Sequence, residues 1–121
     1  MTSAPRRGRR APSLSVVETC YALSTGPRPA TTPELAGRVA TPAEGWTLDS
    51  VLDDMATSGL VVRSPATLVT RWSLTPRGAR IASLEESARR IVRSRGRSRA
   101  TEETLREISR EILALIRDPS T

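Results

Sequence analysis

The stretch WTLDSVLDDMATSGLV, Trp46–Val61, decides how the rest of the chain is read. Leu48, Val51, Leu52 and Met55 fall at i, i+3, i+4 and i+7, the spacing of one buried stripe on an α-helix. Thr41 with Glu44 fits a capping box that would start the helix early, and Thr47 is the alternative cap. Gly59 stands where the helix should stop, since glycine accepts the left-handed backbone of a helix exit. With the stripe turned inward, Trp46, Ser50, Asp53 and Thr57 face outward, flanked by Thr47 and Asp49. The stretch holds Asp49, Asp53 and Asp54 and no basic residue, in a chain with 19 Lys+Arg against 13 Asp+Glu.

Downstream, Val61, Val62 and the β-branched run LVTRWSL predict two strands around the turn SPAT, a small hairpin. Thr70, Trp72 and Leu74 would share one face and Val69, Arg71 and Ser73 the other. A helix restarts at Thr75 with Pro76 in its first turn, and Ile81, Leu84, Ala88 and Ile91 follow at spacings of 3, 4 and 3. RSRGRSR interrupts it, and Leu105, Ile108, Ile112 and Leu115 repeat the spacing in a last helix. The two seams are out of heptad register, which predicts two helices or one sharply broken helix. Each seam is too short to be stable alone, so a second copy of the chain is the expected partner.

Upstream, Ser13 offers an N-cap to a first amphipathic helix carrying Leu14, Val17, Cys20, Tyr21 and Leu23. STGPRPAT reads as a loop. Thr32, Pro33 and Glu34 start a short second helix that turns Leu35 and Val39 to the core. The sequence thus predicts a mainly α fold with a small β-hairpin, in the order of a winged helix-turn-helix followed by C-terminal dimerisation helices. Residues 1–12 are read as a disordered arginine-rich arm, 13–83 as the winged domain and 84–121 as a helical extension for dimerisation.

Charge divides along the same lines. The four segments 1–12, 13–83, 84–99 and 100–121 carry +4, 0, +4 and −2, which recovers the net +6. All 19 basic residues are arginine, whose guanidinium suits phosphate and minor-groove contacts better than an ammonium does. Arg6, Arg7, Arg9 and Arg10 surround a glycine, and RSRGRSR repeats Arg-Gly-Arg, a tripeptide that can lie along a narrow minor groove. A generic phosphate-binding arm is the alternative reading of the first copy, and a solvated hinge that of the second.

Other functions are disfavoured by what the chain lacks. It has no histidine, which removes the usual general base and the commonest metal ligand, so the chain is not expected to be an enzyme. No cofactor and no metal are expected. A lone cysteine, Cys20, excludes an internal disulfide framework. No apolar run approaches a membrane span, and no signal peptide is evident, so the expected location is cytoplasmic, without membrane contact.

TLDSVLDDMATSGLV and RWSLTPRGARI, within residues 46–81, resemble the reading helix and second wing strand of PadR-type winged-helix transcriptional regulators, with MarR-like proteins a more distant match. The chain departs from that pattern in having Asp49-Ser50 where a Tyr-Pro pair is common, and Asp53 and Asp54 where basic residues are usual. The resemblance implies a homodimeric, sequence-specific repressor acting on double-stranded DNA, and leaves a small-molecule effector open. Trp46, Thr47, Asp49 and Ser50 would then be the base-proximal end of the reading helix, with Arg63 and Arg71 on the wing. An aspartate there can accept from a cytosine amino group but repels phosphate; the structural alternative pairs Asp53 and Asp54 with arginines of the wing or the following helix. Two rival readings remain: an interaction module whose acidic helix docks a basic protein, and a nonspecific architectural DNA-binding protein.

Overall fold

Thr47 settles the start of the central helix. Its hydroxyl accepts from the Ser50 amide at 3.1 Å while the Ser50 hydroxyl accepts from the Thr47 amide at 2.8 Å, a reciprocal capping box. In the computed structural model, which describes residues 10–26, 29–64 and 69–117, this helix is Leu48–Thr57. It is the third of five: α1 Ser13–Thr25, α2 Thr32–Ala36, α3 Leu48–Thr57, α4 Pro76–Arg95 and α5 Arg99–Arg117. Three short strands, β1 Ala30–Thr31, β2 Val61–Arg63 and β3 Arg71–Leu74, form an antiparallel sheet in the order β1-β3-β2. The molecule is mainly helical with this small sheet.

Several local expectations need correction. Pro12, not Ser13, occupies the α1 N-cap position, and no side chain caps it. The buried face of α1 is Val16, Thr19, Cys20, Ala22 and Leu23, which leaves Leu14 72% exposed. Thr31, one residue before the expected Thr32, caps α2, accepting from the Glu34 amide while Glu34 accepts from the Thr31 amide. Ala30 and Thr31 were expected in a loop but pair with Trp72 and Arg71 as a strand. Two residues are too few to show alternation, and only the cross-strand register with β3 reveals them. The 83/84 boundary drawn from charge falls inside α4, and α5 adds Ile112 and Ile116 to the same core that α1 and α3 fill.

The exit of α3 is built by two sequence blocks that lie far apart. Ser58, one residue before the expected Gly59, is the C-cap of the helix, and Gly59 follows it with φ +80°. The Gly59 amide donates to the Ala56 carbonyl at 3.1 Å and the Leu60 amide to the Met55 carbonyl at 2.9 Å, the paired bonds of a Schellman exit. The start of α4 then closes on this exit. The Thr75 amide donates to the Leu60 carbonyl at 3.0 Å, and its hydroxyl donates to the Gly59 carbonyl at 2.6 Å. Gly78 lies so close that a Cβ there would sit 2.1 Å from the Leu60 carbonyl oxygen. Arg77 donates from one guanidinium to the Ser58 carbonyl at the end of α3 and to the Leu115 carbonyl near the end of α5. A cation shared by two helix C-termini is favoured by both dipoles.

Beyond this junction α4 packs along α1. Tyr21 donates from its hydroxyl to Glu86 at 2.8 Å, and the Arg89 guanidinium lies 4.0 Å from the Tyr21 ring centroid. This hydrogen bond holds the Glu86 carboxyl below its ordinary pKa and raises that of the Tyr21 phenol. Cys20 is fully buried, and burial pushes its thiol up to about 12, which leaves a protonated core residue. Gly96, with φ +69°, ends α4, and Ser98 accepts from the Thr101 amide as α5 begins.

Candidate nucleic-acid interface

α3 buries Val51, Leu52 and Met55 and leaves Leu48 partly covered. This turns Thr47, Asp49, Asp53 and Thr57 to solvent, with Ser50 half-buried. Trp46, expected on that outward face, is only 8% exposed and belongs to the core. It precedes the helix, where the wheel no longer applies, and a large apolar ring gains more from burial than from water. Thr47 and Ser50 spend their hydroxyls on the capping box. Asp49, in the first turn, makes no hydrogen bond or ion pair among the described residues, and its charge suits the helix N-terminus.

The other two aspartates are neutralised by arginines from opposite sides. Asp53 accepts from Arg63 of β2 at 2.6 Å, the wing pairing anticipated from sequence. Asp54 pairs with neither wing nor α4. It accepts from the Ala11 amide at 3.0 Å and stands 3.9 Å from the Arg10 guanidinium, which also donates to Ser58. The acidic helix thus anchors the root of the arginine-rich segment. Arg6, Arg7 and Arg9 lie outside the described residues, as does most of the SPAT turn.

Arg63 also lies 5.1 Å from the Trp72 ring centroid, its register partner across β2 and β3. Trp72 is buried and donates from its indole to Thr32 at 3.1 Å, tying the sheet to α2. Neither tryptophan is therefore offered to a ligand. Arg71 is exposed on β3, beside Thr31 in register. The residues brought together around α3 are Arg10, Asp49, Asp53, Asp54 and Arg63, whose charges sum to −1.

The two predicted seams meet different fates. Ile81, Leu84 and Ile112 are buried in the chain's own core. Ala88, Ile91, Leu105, Ile108 and Leu115 are half-buried. The chain's own packing thus covers the half of the α4 seam nearest the α3 exit, Ile81 and Leu84, and only Ile112 of the four α5 positions. Sequence reasoning missed Arg10 and Arg77 as tertiary contacts, and it offered Asp54 an arginine of the wing or the following helix in place of Arg10. The alternation of acid and base carried no register that could have paired them.

Among the described residues no cluster of acidic residues or cysteine could hold a metal ion, and no helix is long and apolar enough to cross a membrane. Comparison with protein-family models, curated proteins and solved structures finds no match to this chain.

Proposed function

We propose that the chain is a sequence-specific regulator of transcription that binds double-stranded DNA through a winged helix-turn-helix and acts as a homodimeric repressor. The observation that carries this reading is the packing of α2 before α3 and of the antiparallel β2–β3 pair directly after it. That arrangement leaves the N-terminal, polar end of α3 and the arginines of the sheet on solvent. Asp49 is then the α3 side chain free to meet a base edge, and Arg63 and Arg71 contact backbone phosphate. The half-covered parts of the α4 and α5 seams supply the contact with a second copy. Selection of binding sites from a random duplex library tests the reading: one enriched, two-fold symmetric motif is expected, and recovery of unenriched sequence refutes it.

The acidic face of α3 favours a second reading, a module that docks a basic protein segment. Asp49→Asn separates the two, since a docking module loses its partner while a DNA-binding helix changes base preference or gains affinity.

A further inference from the structure

The largest concentration of unneutralised positive charge in the described structure is not beside α3. It lies at the far end of the α4–α5 hairpin. α4 leaves the α3 exit at Gly78, and 1.5 Å of rise per residue puts Arg95 roughly 25 Å along the helix axis from it. Residues 85–106 hold seven arginines against four glutamates, a charge of +3. Arg89 and Arg97 are matched by Glu85 and Glu102 at 2.8 and 2.9 Å, while Arg90 and Arg93 share the single carboxylate of Glu86 at 3.7 and 3.5 Å. Arg95, Arg99 and Arg106 are exposed and make no hydrogen bond or ion pair among the described residues.

Helix stability accounts for only part of this. Arg93 and Arg95 lie in the last turn of α4, where cations offset the negative end of the dipole. Arg99 is the first residue of α5 and Arg106 lies in its first half, so Arg99 in particular meets the positive end of a helix. A cation in that first turn is opposed by the helix dipole. Between the two helices runs an open trough of about 670 Å³, whose apolar Ala88 and Leu105 belong to the half-covered seam offered to a second copy; Glu85 and Glu102 line it beside the arginines, and Arg95 and Arg99 do not line it. Around α3, by contrast, Arg10 and Arg63 already face carboxylates.

We infer that the tip of the α4–α5 hairpin is a second contact surface for the phosphate backbone of duplex DNA, separate from α3 and the wing. Its occupant is identified by charge complementarity: a dense line of phosphates matches several exposed, fork-shaped donors with no carboxylate of their own. The tip supplies most of the salt-sensitive affinity, and α3 with the wing supplies the sequence preference. The inference rests on the DNA-binding reading for the kind of polyanion and on the hairpin's own geometry for the place.

The test is a salt series of fluorescence-anisotropy titrations with a labelled duplex of random sequence, using the full chain. A tip variant carries Arg95→Gln, Arg99→Gln and Arg106→Gln, and a wing variant carries Arg63→Gln and Arg71→Gln. All five positions are exposed, and matching thermal melts confirm that both variants fold. Every phosphate that a variant no longer neutralises takes about 0.9 off the slope of log Kobs against log salt, so the tip variant should flatten the slope by about 2–3. The wing variant should change it less. An unchanged slope in the tip variant overturns the inference; if the wing variant still binds more weakly, the α3–wing reading stands. A flattened slope in the tip variant beside an unaltered wing variant supports the inference and removes the α3–wing reading. Failure of the unmodified chain to bind duplex at low salt overturns both.

Discussion

Adding one methyl group at Gly78 should open the junction between α3 and α4. The new Cβ would meet the Leu60 carbonyl oxygen at 2.1 Å, Leu74 Cδ2 at 2.9 Å and the Leu60 carbonyl carbon at 3.1 Å. Two of these neighbours are backbone atoms at a helix exit, so the clash cannot be relieved by a rotamer change. α4 must withdraw by roughly 1 Å to restore ordinary van der Waals separation. The withdrawal stretches the bonds from Thr75 to Leu60 and Gly59 and pulls Arg77 from Ser58. Overpacking costs about 1–3 kcal/mol, and each weakened hydrogen bond up to about 1 kcal/mol. The better helix propensity of alanine returns about 1 kcal/mol, leaving a net loss of about 2 kcal/mol. For a chain of this length that lowers Tm by roughly 8 °C. Urea unfolding of Gly78→Ala measures it, with Gly37→Ala as the control, because a Cβ at Gly37 meets only the Glu34 carbonyl at 3.8 Å. If Gly78→Ala matched or exceeded the parent in stability, the close approach of α4 to Leu60 would be refuted.

Two further outcomes follow from the charged contacts. Asp53→Asn frees Arg63 from an exposed pair that is worth about 0–1 kcal/mol, so Tm should barely move while duplex affinity at low salt rises up to about 5-fold. Weaker binding in the anisotropy titration would mean that Asp53 itself holds the ligand. Glu86 titrates below its ordinary range because Tyr21 donates to its ionised form. Its contribution is therefore present above the unfolded glutamate pKa and is lost as pH falls through the lowered folded value. The Tyr21 phenol is raised, so its contribution holds below the ordinary tyrosine pKa and is lost as pH climbs through the raised one. Tyr21→Phe should move the Glu86 midpoint upward in a carboxyl NMR titration, and an unmoved midpoint would show that the hydrogen bond does not control it.

The parts of the fold legible in sequence are those where one local rule acts alone. The stripe Leu48, Val51, Leu52 and Met55, the Thr75-Pro76 start and the Gly96 break needed only periodicity and capping chemistry. Strand alternation likewise separated Trp72, which is buried, from Arg71, which is exposed, without saying which face turns inward. Where two rules compete, the periodic one fails: Trp46 sits just outside its helix, and Leu14 is apolar enough for a core that α1 fills from another face. β1 has no local signal at all, since its existence depends on Trp72 and Arg71 arriving beside it. The site was less legible than the fold. Asp53 and Asp54 are adjacent and chemically identical, yet one pairs with a strand and the other with the start of the chain. Only tertiary geometry distinguishes them.

The turn that ends α3 also bears on the order in which the chain folds. Ser58 accepts from Arg10 across 48 residues, and Arg77 links its carbonyl to Leu115 across a further 38. Contacts that close loops of such length form late, because the chain must lose the entropy of closure before any bond repays it. α3 can nucleate early on its own capping box and buried stripe, while its exit waits for both distant segments. The last turn of α3 thus depends on two segments distant in the chain, while its first turn is closed by residues of its own.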